Sequence, residues 1–158
     1  MLLRAALTEF LTNWRDDLTP AWRTVLADVD PAFADVRADL TFSADEPIFP
    51  SRRASPIQGA RADAHVFRAF DATVPKDISC VLVGQDPYPK ISRATGRSFE
   101  QGDLAGWDQA GVASSLKRLL QMMANERTAS TEFTSAGGWA KLRAAITSGA
   151  LDFGTPRE

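Results

Sequence analysis

Along residues 2–26, Leu3, Leu7, Phe10, Leu11, Trp14, Leu18, Trp22 and Leu26 recur at helical spacings, and the Thr19-Pro20 pair interrupts them. The pattern predicts two short helices in succession with one core-facing stripe. Residues 28–58 carry Pro31, Pro47, Pro50 and Pro56 among scattered charges, which predicts an extended wrap with one short helix. A helix is expected at about 60–71, apolar at Ala64, Val66, Phe67 and Phe70, leading through Pro75 into residues 79–84. That segment, Ser-Cys-Val-Leu-Val-Gly, has the continuous apolar character of a strand buried on both faces. Two more helices are expected: 112–125, with Leu116, Leu119, Leu120, Met122 and Met123 on or beside one face, and 138–147, stopped near Gly149.

Residues 79–84 are the only convincing strand, and a buried strand needs neighbours on both edges to satisfy its amides and carbonyls. The expected class is therefore α/β, a central parallel sheet flanked by helices, incomplete in this chain and finished by a further C-terminal segment or a partner chain. Residues 1–158 are expected to form one domain, or rather its first part, because length and a 44% hydrophobic fraction permit a real core.

Charge and cysteine usage narrow the function classes. No window approaches the length of an apolar membrane span, and charge enters at Arg4 and Glu9, so a soluble, cytoplasmic protein without a membrane partner is expected. Cys80 is the only cysteine, which excludes internal disulfides and a thiolate metal cluster, and its place in the apolar run predicts burial. The net charge of −2 argues against non-specific coating of nucleic acid. Yet residues 1–51 hold four basic and nine acidic side chains, whereas residues 52–118 hold ten and seven. In that basic stretch Arg52, Arg53, Lys90, Arg93, Arg97, Lys117 and Arg118 are candidates for a phosphate track, and a solvated surface accounts for them equally well.

The chemistry concentrates at residues 84–88, Gly-Gln-Asp-Pro-Tyr. Ligands of α/β proteins gather beyond the C-terminal ends of strands, so Asp86 and Tyr88 are expected to face a cleft; alone, an Asp-Pro pair is more often a turn former. This stretch resembles the first signature of the family-1 uracil-DNA glycosylases, Gly-Gln-Asp-Pro-Tyr followed by His or Pro, and the five core positions match without a gap. Ala94-Thr95-Gly96-Arg97-Ser98-Phe99 is similar to that family's Ala-x-Gly-x-x-Phe, with Phe99 thirteen positions after Asp86 as in the family. Ile48-Phe49-Pro50 and Val66-Phe67-Arg68-Ala69-Phe70 look like its lead-in, so the resemblance covers roughly residues 45–120.

The resemblance implies hydrolysis of the N-glycosidic bond of uracil in DNA, base-excision repair chemistry without metal or organic cofactor, in a chain that is a monomer when complete. It implies that Asp86 is the catalytic carboxylate, stabilising positive charge on the sugar and placing the attacking water. Phe99 would stack on the everted base, Tyr88 would crowd ring position 5 and reject thymine, and Gln85 would support the pocket. Ser115, in place of the family's phosphate-gripping turn, would contact the DNA backbone, alongside Lys90 and Arg93 from the basic stretch; capping of the following helix by Ser114 or Ser115 is the slightly readier role. The family's Leu-Leu-Leu-Asn and His-Pro-Ser-Pro motifs are missing, and neither Asn125 nor His65 matches their asparagine or histidine. Two other readings remain open: a catalytically inactive fragment that binds DNA or protein, and a glycosylase acting on another modified pyrimidine.

Overall fold

The computed structural model describes residues 1–43, 45–85 and 88–157. It divides into two compact units, Met1–Ser98 and Phe99–Glu158.

In the first unit, α1 (Leu3–Phe10) is followed by a tight turn of 3₁₀ helix, Trp14–Asp17, and then by α2 (Pro20–Val25). Asn13, at φ 52°, breaks the chain between the first two, and Pro20 opens α2 from its first turn. The interrupted helical stripe expected over residues 2–26 is thus present. Its large side chains meet the segment around residue 67: Trp14 stacks on Phe67 with ring centroids 5.3 Å apart, and Trp22 meets Phe70 edge-on at 4.8 Å. The Trp22 indole N–H also donates to the Thr73 carbonyl at 2.7 Å, so one aromatic side chain supplies both apolar area and a polar anchor.

Ionic contacts close the same unit. Arg52 binds the Asp17 carboxylate and donates to the Phe10 and Thr12 carbonyls at 2.8 and 2.9 Å. Asp17 is only 7% exposed, so its charge is held almost entirely by protein donors. Arg53 donates to the Asp17 carbonyl at 3.1 Å and pairs with Asp71, which also contacts His65 Nε2 at 2.9 Å.

The second unit is built on α3 (Ser114–Thr128) and α4 (Gly138–Thr147), close to their expected limits. Leu116, Leu120 and Ala124 form a buried stripe on α3 at four-residue spacing and join Leu104, Trp107, Val112, Phe133 and Leu142 in one core. Ala129, at φ 49°, ends α3. Gln101 is fully buried and clasps the entry to α3: its amide nitrogen donates to Gly111 O at 3.0 Å and Asp103 Oδ1 at 2.9 Å, and its Oε1 accepts from Ala113 N at 2.9 Å.

Three expectations are overturned. Among the described residues there is no strand, only an isolated antiparallel bridge between Leu2 and Thr41, so the α/β architecture with a central parallel sheet is not the fold observed. Residues 79–83 find no pairing edge, and Val81, Leu82 and Val83 stand 73%, 64% and 82% exposed. Cys80 is exposed with them, contrary to the burial its apolar context implied. The helix expected at 60–71 shrinks to a 3₁₀ turn at Arg68–Phe70. Asp63 adopts φ 67°, which stops helix propagation, and its carboxylate sits 3.5 Å from Arg61 and 3.3 Å from Arg68.

Candidate functional site

Of the residues singled out by sequence, the described ones Gln85, Tyr88, Lys90 and Arg93 lie in a loop of the first unit, and Phe99 and Ser115 lie in the second. The loop is pinned at its base: the Gly84 amide donates to Ser98 Oγ at 3.1 Å. Further along, Gly96 at φ 92° presses against the His65 backbone so closely that a Cβ on it would lie 1.8 Å from the His65 carbonyl oxygen. Only glycine combines that torsion with that approach. Ala94 and Thr95 are buried beside it, and Arg97 donates to the Arg68 carbonyl at 3.4 Å. The loop is thereby a fixed platform.

Asp86, the candidate catalytic carboxylate, lies outside the described residues. Gln85 before it is exposed. Tyr88 is half-buried, and the Arg93 guanidinium carbon stands 5.7 Å from its ring centroid, a cation–π geometry. The Lys90 carbonyl accepts from the Arg93 and Ala94 amides, both at 3.0 Å, which turns the chain so that Arg93 returns toward Tyr88. Lys90 itself is exposed. Tyr88, Lys90 and Arg93 are therefore brought together in one turn: a phenol, a guanidinium over its face and a solvent-facing ammonium.

Phe99 is the first residue of the second unit, half-buried against that unit's core, with φ 60°. A bulky residue in the left-handed region carries local strain of the kind that concentrates at binding positions. Ser115 is exposed in the first turn of α3, but the N-cap is Ala113, which has no side chain able to cap. The first amides of α3 therefore lack a side-chain cap at the N-cap position, leaving a positive helix end beside Ser114 and Ser115.

The phosphate-track candidates divide. Arg52 and Arg53 are engaged by Asp17 and Asp71 and serve the interior of the first unit. Arg97 bonds the Arg68 carbonyl, and Lys117 sits 5.6 Å from the Trp139 ring centroid. Lys90 and Arg118 remain exposed. Sequence reading missed Ser98 and His65 as the two seats of the loop; the glycine at position 96 was the one local signal that something approached closely. Among the described residues no group of three metal-ligating side chains comes together, and no helix is long and apolar enough to cross a membrane.

Comparison with known proteins gives partial matches. The chain is 50% identical over 38 residues, 24% of its length, to the uracil-DNA glycosylase of Exiguobacterium sibiricum. It is 35% identical over 81 residues, 49% of its length, to the uracil-DNA glycosylases of Lacticaseibacillus casei and Lacticaseibacillus paracasei. Part of this chain is related to uracil-DNA glycosylases. The matched segments span only 17% and 31% of those relatives' own lengths. No family model matches the chain, and no solved structure matches it.

Proposed function

We propose that this chain is the N-terminal portion of a single family-1 uracil-DNA glycosylase domain and acts on uracil in DNA. The observation that carries the reading is the coincidence of Gly84-Gln85-Asp86-Pro87-Tyr88 and Phe99 at the family spacing with partial similarity to curated proteins of that name. In this reading Asp86 faces the sugar. Its carboxylate stabilises the oxocarbenium-like centre as the glycosidic bond breaks and orients the water that attacks C1′. Phe99 offers a face for the everted base, Gln85 supports the pocket, and Tyr88 stands at ring position 5, where the thymine methyl would collide with it. The platform built by Gly84, Ser98 and Gly96 supports this assignment because it pins the chain at residue 84, just before Gln85, and again at residues 96–98. Lys90, Arg93 and the amide end of α3 at Ser115 supply charge for the DNA backbone.

The alternative is a catalytically inactive, glycosylase-derived chain that binds DNA or protein.

One assay separates the two. The chain is incubated with a single-stranded oligonucleotide containing one deoxyuridine, and alkali-labile scission is measured. The enzyme reading expects scission that Asp86→Asn lowers by about 10²–10⁴-fold, the usual share of a positioned acid or base. Binding to the oligonucleotide without scission, both by this chain and by a longer one that carries the C-terminal motifs, overturns it in favour of the binding chain. Thymine release gained by Tyr88→Ala supports the steric filter, and unchanged selectivity removes it.

A further inference from the structure

His65 is the only histidine in the chain, and its side chain is 3% exposed. The ring Nε2 lies 2.9 Å from Asp71 Oδ2, while Nδ1 is buried and meets no hydrogen-bond partner among the described residues. A carboxylate can only accept, so Nε2 carries the one proton of a neutral imidazole and Nδ1 keeps a bare lone pair. Backbone bonds tie this pair to the loop that carries Tyr88 and Arg93. The His65 carbonyl accepts from the Arg68 amide at 3.0 Å, and the Arg68 carbonyl from the Asp71 amide at 3.1 Å, a turn that brings Asp71 back to the ring. Gly96 packs against that same His65 carbonyl, and Arg97 donates to the Arg68 carbonyl at 3.4 Å.

We propose that His65 is a pH-sensitive latch: neutral, it holds this loop in place, and uptake of a second proton releases it. An imidazole changes charge between about pH 5 and 8. Protonation creates an Nδ1–H donor where no acceptor stands, and proteins tolerate a buried orphan donor less well than a buried unused lone pair. The charges on the packed segments point the same way. Asp71 attracts the imidazolium, but its other oxygen already holds the Arg53 guanidinium. Arg68, buried on the turn, and Arg97 on the loop add positive charge. Asp63 is paired with Arg61 and Arg68, Asp17 is paired with Arg52, and neither carboxylate reaches Nδ1. The charged ring has to turn toward water, and the carbonyl against Gly96 moves with it. The latch is therefore closed on the alkaline side of the transition and open on the acid side. It acts on the loop whether or not that loop belongs to a glycosylase.

Nitrogen-15 NMR of the intact chain without DNA, over about pH 8 to 5, tests this, because a single imidazole gives an unambiguous signal. The expected result is the Nε2–H tautomer at the alkaline end, and amide shifts of Arg93, Gly96 and Ser98 that follow the ring with one midpoint. Glutamine at this position keeps a donor for Asp71 but takes up no proton. In His65→Gln the loop shifts should therefore stay flat across the range, although the Met1 amine titrates as before. A ring protonated at Nδ1 alone, a ring charged at the alkaline end, or loop amides that do not share its midpoint overturns the latch. The parent chain decides these outcomes even where the variant fails to fold. Loop shifts that titrate unchanged in His65→Gln overturn it too, and so does a change spread evenly over α3 and α4, which marks general acid unfolding.

Discussion

Replacing Gly96 by alanine tests the platform under the candidate site, and its effect follows from two separable costs. The torsion comes first: at φ 92° an L side chain is strained, which costs roughly 1–2 kcal/mol. The second cost is the collision. The new Cβ would sit 1.8 Å from the His65 carbonyl oxygen, 2.9 Å from its carbon and 3.1 Å from Arg68 Cβ. A backbone carbonyl cannot swing away as a flexible side chain does, so overpacking adds about 1–3 kcal/mol. Comparison with Gly59→Ala isolates the second cost, because Gly59 has φ 84° and a Cβ added there would meet nothing within 4 Å. The loss of unfolded-state freedom is common to both variants and cancels in the comparison. With a urea slope of about 1–3 kcal/mol per molar, Gly96→Ala should unfold on the order of 1 M earlier than Gly59→Ala. Equal midpoints for the two variants would refute the close approach of residue 96 to residue 65, and with it the fixed platform.

Other perturbations follow from the same geometry. Arg52→Ala leaves the Asp17 carboxylate buried without its partner and should lower stability by about 3–5 kcal/mol in urea melts, with Arg52→Lys recovering only part because an ammonium lacks the planar fork. Leu142→Ala, at a side chain with no exposure in the core of the second unit, should cost about 2–5 kcal/mol. Gln101→Ala strands the Ala113 amide and the Gly111 carbonyl and should cost about 1–3 kcal/mol. If the amides around residue 113 exchange no faster in that variant, the clasp at the start of α3 is not what holds them.

Elements specified by neighbours in sequence were legible without coordinates. The stripe of Leu116, Leu120 and Ala124 recurs every four residues, and α4 runs over the expected 138–147, because helical hydrogen bonds and their apolar face are both local. The interruption at Thr19-Pro20 was legible for the same reason. Of the candidate site, the residues could be named and their order along the chain read. What holds Tyr88 and Arg93 together, a turn closed on the Lys90 carbonyl and a loop seated on His65, could not.

Tertiary structure decided the rest. Strand pairing is non-local, so an apolar run such as Val81-Leu82-Val83 becomes a buried strand only where other segments offer edges, and among the described residues none does. The exposure of Cys80 follows from that single fact. Asp63 in the left-handed region removed a helix that its neighbours' periodicity favoured. Arg52 reads in sequence as part of a basic surface, yet folding brings it to an aspartate 35 residues away, and there its charge serves the interior. A chain's local periodicities follow from its order of residues, whereas the partners of its charges and unpaired backbone groups depend on which distant segments the fold brings within reach.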